Sequence, residues 1–229
     1  YFHDGRVGHL IKTRAFMSLI VANRITDESG SASYEIDSPN GGRVFIIANL
    51  LEKGPAAQNP ATIANAMEGA TNPEQELWIV NNTFRNDYGR GVFINNHAPA
   101  RAKVVNNLFV GGGSVFQGVG DLKNNVLAAG PGGAPNLEAA PFKSGDITET
   151  RTRTTGDPGL VDLARYDWQP NGRSPVVGAG IDPGSMDGMA LLPTLRYVHP
   201  AHAEAAQIHA PIDVGASPHG RSRIDRDLA

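Results

Sequence analysis

Leu19-Ile20-Val21-Ala22-Asn23, Phe45-Ile46-Ile47-Ala48-Asn49, Trp78-Ile79-Val80-Asn81-Asn82, Val104-Val105-Asn106-Asn107 and Leu122-Lys123-Asn124-Asn125 are five versions of one phrase, a run of β-formers closed by one or two asparagines. The last asparagine of each follows its predecessor by 26, 33, 25 and 18 residues. A repeat in the twenties with no helical phrase in the unit predicts a parallel β-solenoid. A unit this short cannot bury its apolar face alone and must stack on its neighbours. The asparagine is expected in the turn after a strand, where it tolerates left-handed backbone and bonds nearby main chain. Stacked one coil above the next, such amides can also bond each other as a ladder. Asn-Asn also marks hairpin turns in antiparallel sandwiches, but here apolar residues follow each asparagine directly and leave no room for a hairpin.

Outward from that phrase, the 229 residues suffice for one extended domain. Many glycines and prolines (27 and 16) and few aromatics (7%) suit tight turns and small inward residues. A net charge of −3 argues against a nucleic-acid binder, and no apolar run is long enough to span a bilayer. The absence of cysteine excludes disulfides and thiolate metal sites. It fits either a reducing cytoplasm or a bacterial exterior that does without bridges. The opening Tyr-Phe-His-Asp reads as the middle of a coil. We therefore expect N-terminal coils and any export signal to lie outside this sequence.

Coils are expected over residues 1–127. An irregular final coil, C-terminal strap and charged mobile tail of the same domain are expected over 128–229. Within the latter, Ala201–Ile208 reads as a short helix and Asp213-Val214-Gly215-Ala216 as a last strand. The strap would cover the open end of the stack, whose strand edge would otherwise invite aggregation. In the first coil, His9–Arg14 reads as a strand with Lys12 and Arg14 on one face. Lys12 to Glu35 and Arg14 to Asp37 both span 23 residues, about one coil. Each acid is therefore expected one rung from its base, roughly 5 Å away.

The asparagine phrase and the ending Asp157-Pro158-Gly159, Tyr166, Ser174-Pro175-Val176, Gly180 and Asp213–Ala216 resemble bacterial right-handed parallel β-helix proteins of the pectate-lyase-like superfamily. His3-Asp4, the run Gly8–Ala15, Ser33–Ile36 and Pro39-Asn40-Gly41-Gly42 look like a family of often exported β-helix repeat proteins. The resemblance implies an all-β, right-handed parallel β-helix in an extracellular or periplasmic protein. More distantly, Lys12-Thr13 is similar to a Lys-Ser pair in the alginate lyase and chondroitinase B group. Where that group carries an arginine one coil later, this chain has Asp37 and Asn40-Gly41-Gly42.

The densest cluster of functional side chains is His3, Arg6, His9, Lys12 and Arg14. A uronate-cleaving lyase must neutralise a carboxylate, remove the proton beside it and protonate the leaving oxygen. By residue type, Lys12 can be the base, Arg14 the carboxylate clamp and His9 the acid. Arg6, His3, Asp37, Asn40, Gln58, Asn59 and Glu68 are candidate contacts to an acidic polysaccharide. Gln58, Asn59, Asn65 and Glu68 could hydrogen-bond sugar hydroxyls, although turn formation and loop packing are the commoner roles of such residues. Glu35 and Asp37, with Asp4, are candidate oxygen ligands for Ca²⁺, although no spaced calcium loop is present. The competing reading makes the same charges rung-to-rung ion pairs on a solvated face, contributing about 0–1 kcal/mol each. That reading leaves a non-catalytic carbohydrate-binding or surface scaffold. A glycoside hydrolase on the same fold is a third. Trp78 is expected in the core, and the His199/His202 pair has metal-like spacing. Neither a phosphate loop nor a Gly-X-Ser-X-Gly elbow is present.

Overall fold

Parallel pairing sets equivalent residues of successive coils about 4.8 Å apart, so like side chains stack into continuous rows. The computed structural model describes residues 1–137, 146–208 and 210–219. It winds the chain through three strands per coil. The first coil holds β1 (Phe2–His3), β2 (Ile11–Lys12) and β3 (Met17–Val21). The second holds β4 (Arg24–Thr26), β5 (Ile36–Ser38) and β6 (Arg43–Ile47), and the third β7 (Leu50–Lys53), β8 (Ala61–Asn65) and β9 (Glu76–Val80). The fourth holds β10 (Thr83–Asn86), β11 (Val92–Asn96) and β12 (Ala102–Val105), and the fifth β13 (Leu108–Val110), β14 (Ser114–Gln117) and β15 (Val119–Lys123). β16 (Val126–Ala128), β17 (Asp146–Thr150) and β18 (Arg153–Thr155) carry the winding further. Three parallel sheets of seven, five and six strands result, each pairing strands from successive coils. The fold is an all-β parallel β-helix.

The core is a set of rungs. Ile20, Ile46, Ile79, Val104 and Leu122 form one row, and Ile36, Ile63, Ile94 and Phe116 another. Ile25, Leu51, Phe84, Phe109 and Leu127 form the third. All of these are buried, and the Phe84 and Phe109 rings stack at 4.7 Å. Each such side chain contributes about 1.5–3 kcal/mol by leaving water.

The asparagines form the predicted ladder with one refinement. Asn23, Asn49, Asn82 and Asn107 each present both backbone N–H and Nδ2 to the Oδ1 of the asparagine one coil on, ending at Asn125. The left-handed residue is the one before: Ala22 (φ 53°), Ala48 (57°), Asn81 (51°), Asn106 (57°) and Asn124 (56°). Where that residue is asparagine, it anchors the C-terminal strap. Asn81 donates to the carbonyls of Asp213 and Gly215, Asn106 to that of Ile181, and Asn124 to that of Ala179. Ala48 instead packs against Leu191. The difference between Ala-Asn and Asn-Asn in the repeat thus marks which coils hold the strap through a left-handed asparagine.

Three expectations are corrected. The winding does not fail at residue 128, because β17 and β18 pair with β15 and β16. These strands are polar and largely exposed, so they carry no apolar phrase. The predicted helix at Ala201–Ile208 is instead β24 (His202–Ala205), the antiparallel partner of β23 (Leu195–Val198). Asp213–Ala216 is not a strand but a bend, with Gly215 at φ +94°. Val214 there is buried with Val176 against Leu108, Val110 and Val126. The rest of the strap holds β19 (Leu160–Asp162), a 3₁₀ turn at Leu163–Arg165, β20 (Asp167–Pro170), β21 (Ser185–Met186) and β22 (Met189–Ala190). Residues 220–229, most of the expected mobile tail, lie outside the described residues.

Candidate functional site

β2 is the N-terminal edge of the five-stranded sheet, and only Ile11 and Lys12 are in strand geometry. Ile11 pairs with Ile36 and packs against the core, which sends Lys12 outward. Register places Lys12 opposite Asp37, not Glu35. The coil is two residues longer than the sequence spacing suggested, because the loop before β5 takes up the difference. Both predicted pairs are corrected as a result. Lys12 Nζ lies 3.0 Å from Asp37 Oδ2, whereas Arg14 reaches past Asp37 to Asn40 and Glu68.

Glu68 organises the cluster. It follows β8 in a turn that uses left-handed Ala66 (φ 58°) and Gly69 (φ 104°). Its Oε1 is 3.1 Å from Lys12 Nζ, and its Oε2 is 2.5 Å from Arg14 Nη2. Arg14 Nη1 donates to Asn40 Oδ1 at 2.6 Å, and Asn40 Nδ2 donates to Thr71 Oγ1. Lys12 and Arg14 therefore form a two-pronged cationic fork, with one carboxylate oxygen on each prong. Lys12, Arg14 and Glu68 are all substantially exposed, at 36%, 52% and 48% of their side-chain surface. The fork thus opens to solvent.

His9 stands behind it, stacked on Tyr34 at 5.0 Å with the rings 9° apart. Its Nε2 is 3.3 Å from Asp37 Oδ2, and its Nδ1 is buried without a hydrogen-bond partner. An unpaired acceptor costs less here than an unpaired donor, so Nε2–H faces Asp37 and the lone pair sits on Nδ1. Burial holds the imidazole below its ordinary pKa, which favours this neutral form. Lys12 behaves oppositely. Its hydrogen bonds to Asp37 and Glu68 hold it above the usual lysine range, so it is firmly protonated. Arg14, followed by Lys12, holds the Glu68 carboxyl below its usual value.

The structure thus gathers His9, Lys12, Arg14, Asp37, Asn40 and Glu68, and adds Tyr34, which the sequence reading had not singled out. The other candidates lie apart. His3 stacks on Tyr1 and contacts Asp4, on the seven-stranded sheet. Arg6 is exposed beside Ser31. Asn59 donates to Ser33 and the Gln58 amide to Ala32, which packs their loop onto the previous coil. Asn65 is a buried link in a second ladder, between Ser38 and Asn96.

The calcium reading of Glu35 and Asp37 fails on geometry. Glu35 is fully buried, 3.3 Å from the equally buried Lys53, while Asp37 serves Lys12 and His9. Asp4 caps Ser29 instead of joining them. Among the described residues no group of three histidine, aspartate or glutamate side chains could hold a metal ion. Burial pushes Glu35 up to about 8, against the pull of Lys53. Nothing in the sequence marks Lys53 as inward, because a lysine at a strand end ordinarily reads as solvated.

Trp78 is half-buried on the outer face of its sheet, beside Met186 and Met189 of the strap, not in the central core. His199 faces Arg24 and Tyr197, while His202 pairs across the hairpin with Val198, so the two do not form a metal pair. No helix among the described residues is long and apolar enough to cross a membrane. Comparison with protein-family models, with curated proteins and with solved structures finds no match to this chain.

Proposed function

We propose that this β-helix binds an acidic polysaccharide through the Lys12–Arg14 fork. The observation that carries the reading is Glu68. One carboxylate spans two exposed cations, one oxygen to each, in the arrangement a uronate carboxylate would adopt. Glu68 belongs to a surface turn and can be displaced by a ligand carboxylate that makes the same two contacts. Asn40 then flanks the sugar with a planar amide that both accepts and donates.

A second reading, β-elimination, is favoured by the neutral His9 beside a protonated Lys12. Electrostatics reverse the roles assigned from residue type: Lys12 neutralises or donates, and His9, which burial keeps neutral, is the base that is not held in an ion pair with the fork. Its lone pair faces inward, so proton abstraction requires the ring to turn, and binding is therefore ranked ahead of cleavage. A glycosidase reading is weaker, because Glu68 is held ionised by Arg14 and cannot act as the acid.

The test is affinity electrophoresis and calorimetry against polygalacturonate, alginate and glycosaminoglycans, with absorbance at the unsaturated-uronate band followed in parallel. Lys12→Ala and Arg14→Ala are expected to weaken binding at least tenfold. Glu68→Gln is expected to strengthen it, since it removes the internal competitor. If no panel member binds, or if Glu68→Gln binds less well than the parent, the fork is a structural ion pair only. Unsaturated product that disappears in His9→Ala while binding persists would establish the elimination.

A further inference from the structure

The chain contains two Asn-Gly pairs, and both follow a proline: Pro39-Asn40-Gly41 and Pro170-Asn171-Gly172. Asparagine before glycine is prone to cyclise, because no side chain on the glycine keeps its backbone nitrogen from the asparagine Cγ. In a folded chain the reaction needs that nitrogen and that amide to be free. With the local sequence matched, only the surroundings separate the two pairs.

Asn40 is fixed at each atom that would have to move. Its Oδ1 accepts from Arg14 Nη1 at 2.6 Å, and its Nδ2 donates to Thr71 Oγ1 at 2.5 Å. The Gly41 N–H donates to the Ser38 carbonyl at 2.9 Å, and the Asn40 carbonyl accepts from the Asn72 N–H at 3.2 Å. Gly41 is buried at φ +64°, with Gln75 Oε1 2.0 Å from where a Cβ would stand. Its nitrogen is neither open to solvent nor free to turn toward the side chain.

Asn171 and Gly172 lie in the turn between β20 and the segment that carries the buried Ser174 and Val176. Both are exposed, and nothing stands within 4 Å of the Gly172 Cβ position. Among the described residues, neither the Gly172 N–H nor Asn171 Nδ2 has a hydrogen-bond partner. The Arg173 N–H donates to Asn171 Oδ1 at 2.9 Å, which folds the side chain back along its own main chain. The same donor faces the oxygen that gains negative charge when Cγ becomes tetrahedral. Both sides of the turn are anchored. The Asn171 N–H donates to the Gly159 carbonyl and the Ser174 N–H to the Asn171 carbonyl, each at 2.9 Å.

We propose that Asn171 is a site of spontaneous covalent modification, converting through a succinimide to aspartate and isoaspartate, while the fork and its turn hold Asn40 inert. The Gly172 nitrogen gives its proton to solvent and bonds to Asn171 Cγ. The Cγ–Nδ2 bond breaks, and the amide group takes up a proton and leaves as ammonia. Water then opens the ring at either carbonyl. One ammonia is lost and one water is gained, which adds one negative charge and about 1 Da. The isoaspartyl product also lengthens the main chain by one carbon between the Gly159 and Ser174 anchors.

The full chain is incubated at mildly alkaline pH, folded and in parallel in concentrated urea. Aspartate and isoaspartate at both sites are then quantified by peptide mapping with electron-transfer fragmentation. In the folded chain Asn171 is expected to convert at least tenfold faster than Asn40, whereas in urea the two rates should agree within about threefold. Gly172→Ala, which has room and no left-handed backbone to strain, is expected to slow conversion at Asn171 at least tenfold. Three results would each overturn the proposal. They are an unconverted Asn171 in the folded chain while the urea sample reacts, equal folded rates at the two sites, and a tenfold difference that persists in urea.

Discussion

Asn82 shows what one side chain does in this architecture. Its Oδ1 accepts from both the N–H and the Nδ2 of Asn49, and its own Nδ2 donates to the Ile46 and Val80 carbonyls and to Asn107. All of these groups are buried, so removing the amide leaves several unsatisfied at about 1–3 kcal/mol each. Asn82→Ala is expected to lower stability by about 3 kcal/mol or more. Asn23→Ala, at the half-buried end of the ladder, should cost about 1 kcal/mol. Denaturant unfolding of both variants checks this, and equal losses would mean the ladder does not act through burial. At the same scale, the phrase itself announced these asparagines, because an amide at each coil end is visible in one dimension. The fork was legible as residue types but not as pairs. Glu68 lies on a different coil from Lys12 and Arg14, and only a turn built on Ala66 and Gly69 brings it over them.

Among the elements, the strap depends on the left-handed asparagines more than on its own secondary structure. Asn106 both donates to the Ile181 carbonyl and accepts from the Ile181 N–H, and its amide links Asn81 to Asn124. In Asn106→Ala the coils should persist while the strap loosens. Amide exchange at Ile181 and Gly215 is expected to speed up at least tenfold, with the exchange of β6 and β9 unchanged. Uniform acceleration across both would show that strap and coils open as one unit. The elements misread from sequence share a cause. β17 and β18 lack an apolar phrase because they cap a core row with polar residues, and β24 exists only because β23 pairs with it. Local propensity cannot report a partner that is distant in the chain or placed by another element.

For the molecule as a whole, buried acids set the response to pH. Glu52 is almost wholly buried, and burial, reinforced by Asp87, raises its pKa from 4.5 to about 8. Glu35 is raised the same way. Between those values the folded chain keeps protons that the unfolded chain has released. The contribution of these groups is therefore fully present below about pH 4.5 and declines as pH rises through about 8. Replacing Glu52 by glutamine keeps a neutral acceptor for Tyr166 and removes one such group. The parent should lose on the order of 2 kcal/mol more stability than Glu52→Gln between pH 5 and pH 9. Unfolding midpoints at those two values decide it, and parallel losses would mean that Glu52 ionises normally.

What the sequence determined alone was the winding. A β-former run closed by asparagine at coil-length intervals cannot bury itself, so stacking, the amide ladder and the inward rows follow from one-dimensional periodicity. What only the tertiary structure decided was which charges meet. Loop lengths between strands vary freely without disturbing the rungs, and a two-residue change there moves Lys12 from Glu35 to Asp37. The same freedom sends Glu35 inward to Lys53, lifts Glu68 over the fork, and packs the strap against Leu108, Val110 and Val126.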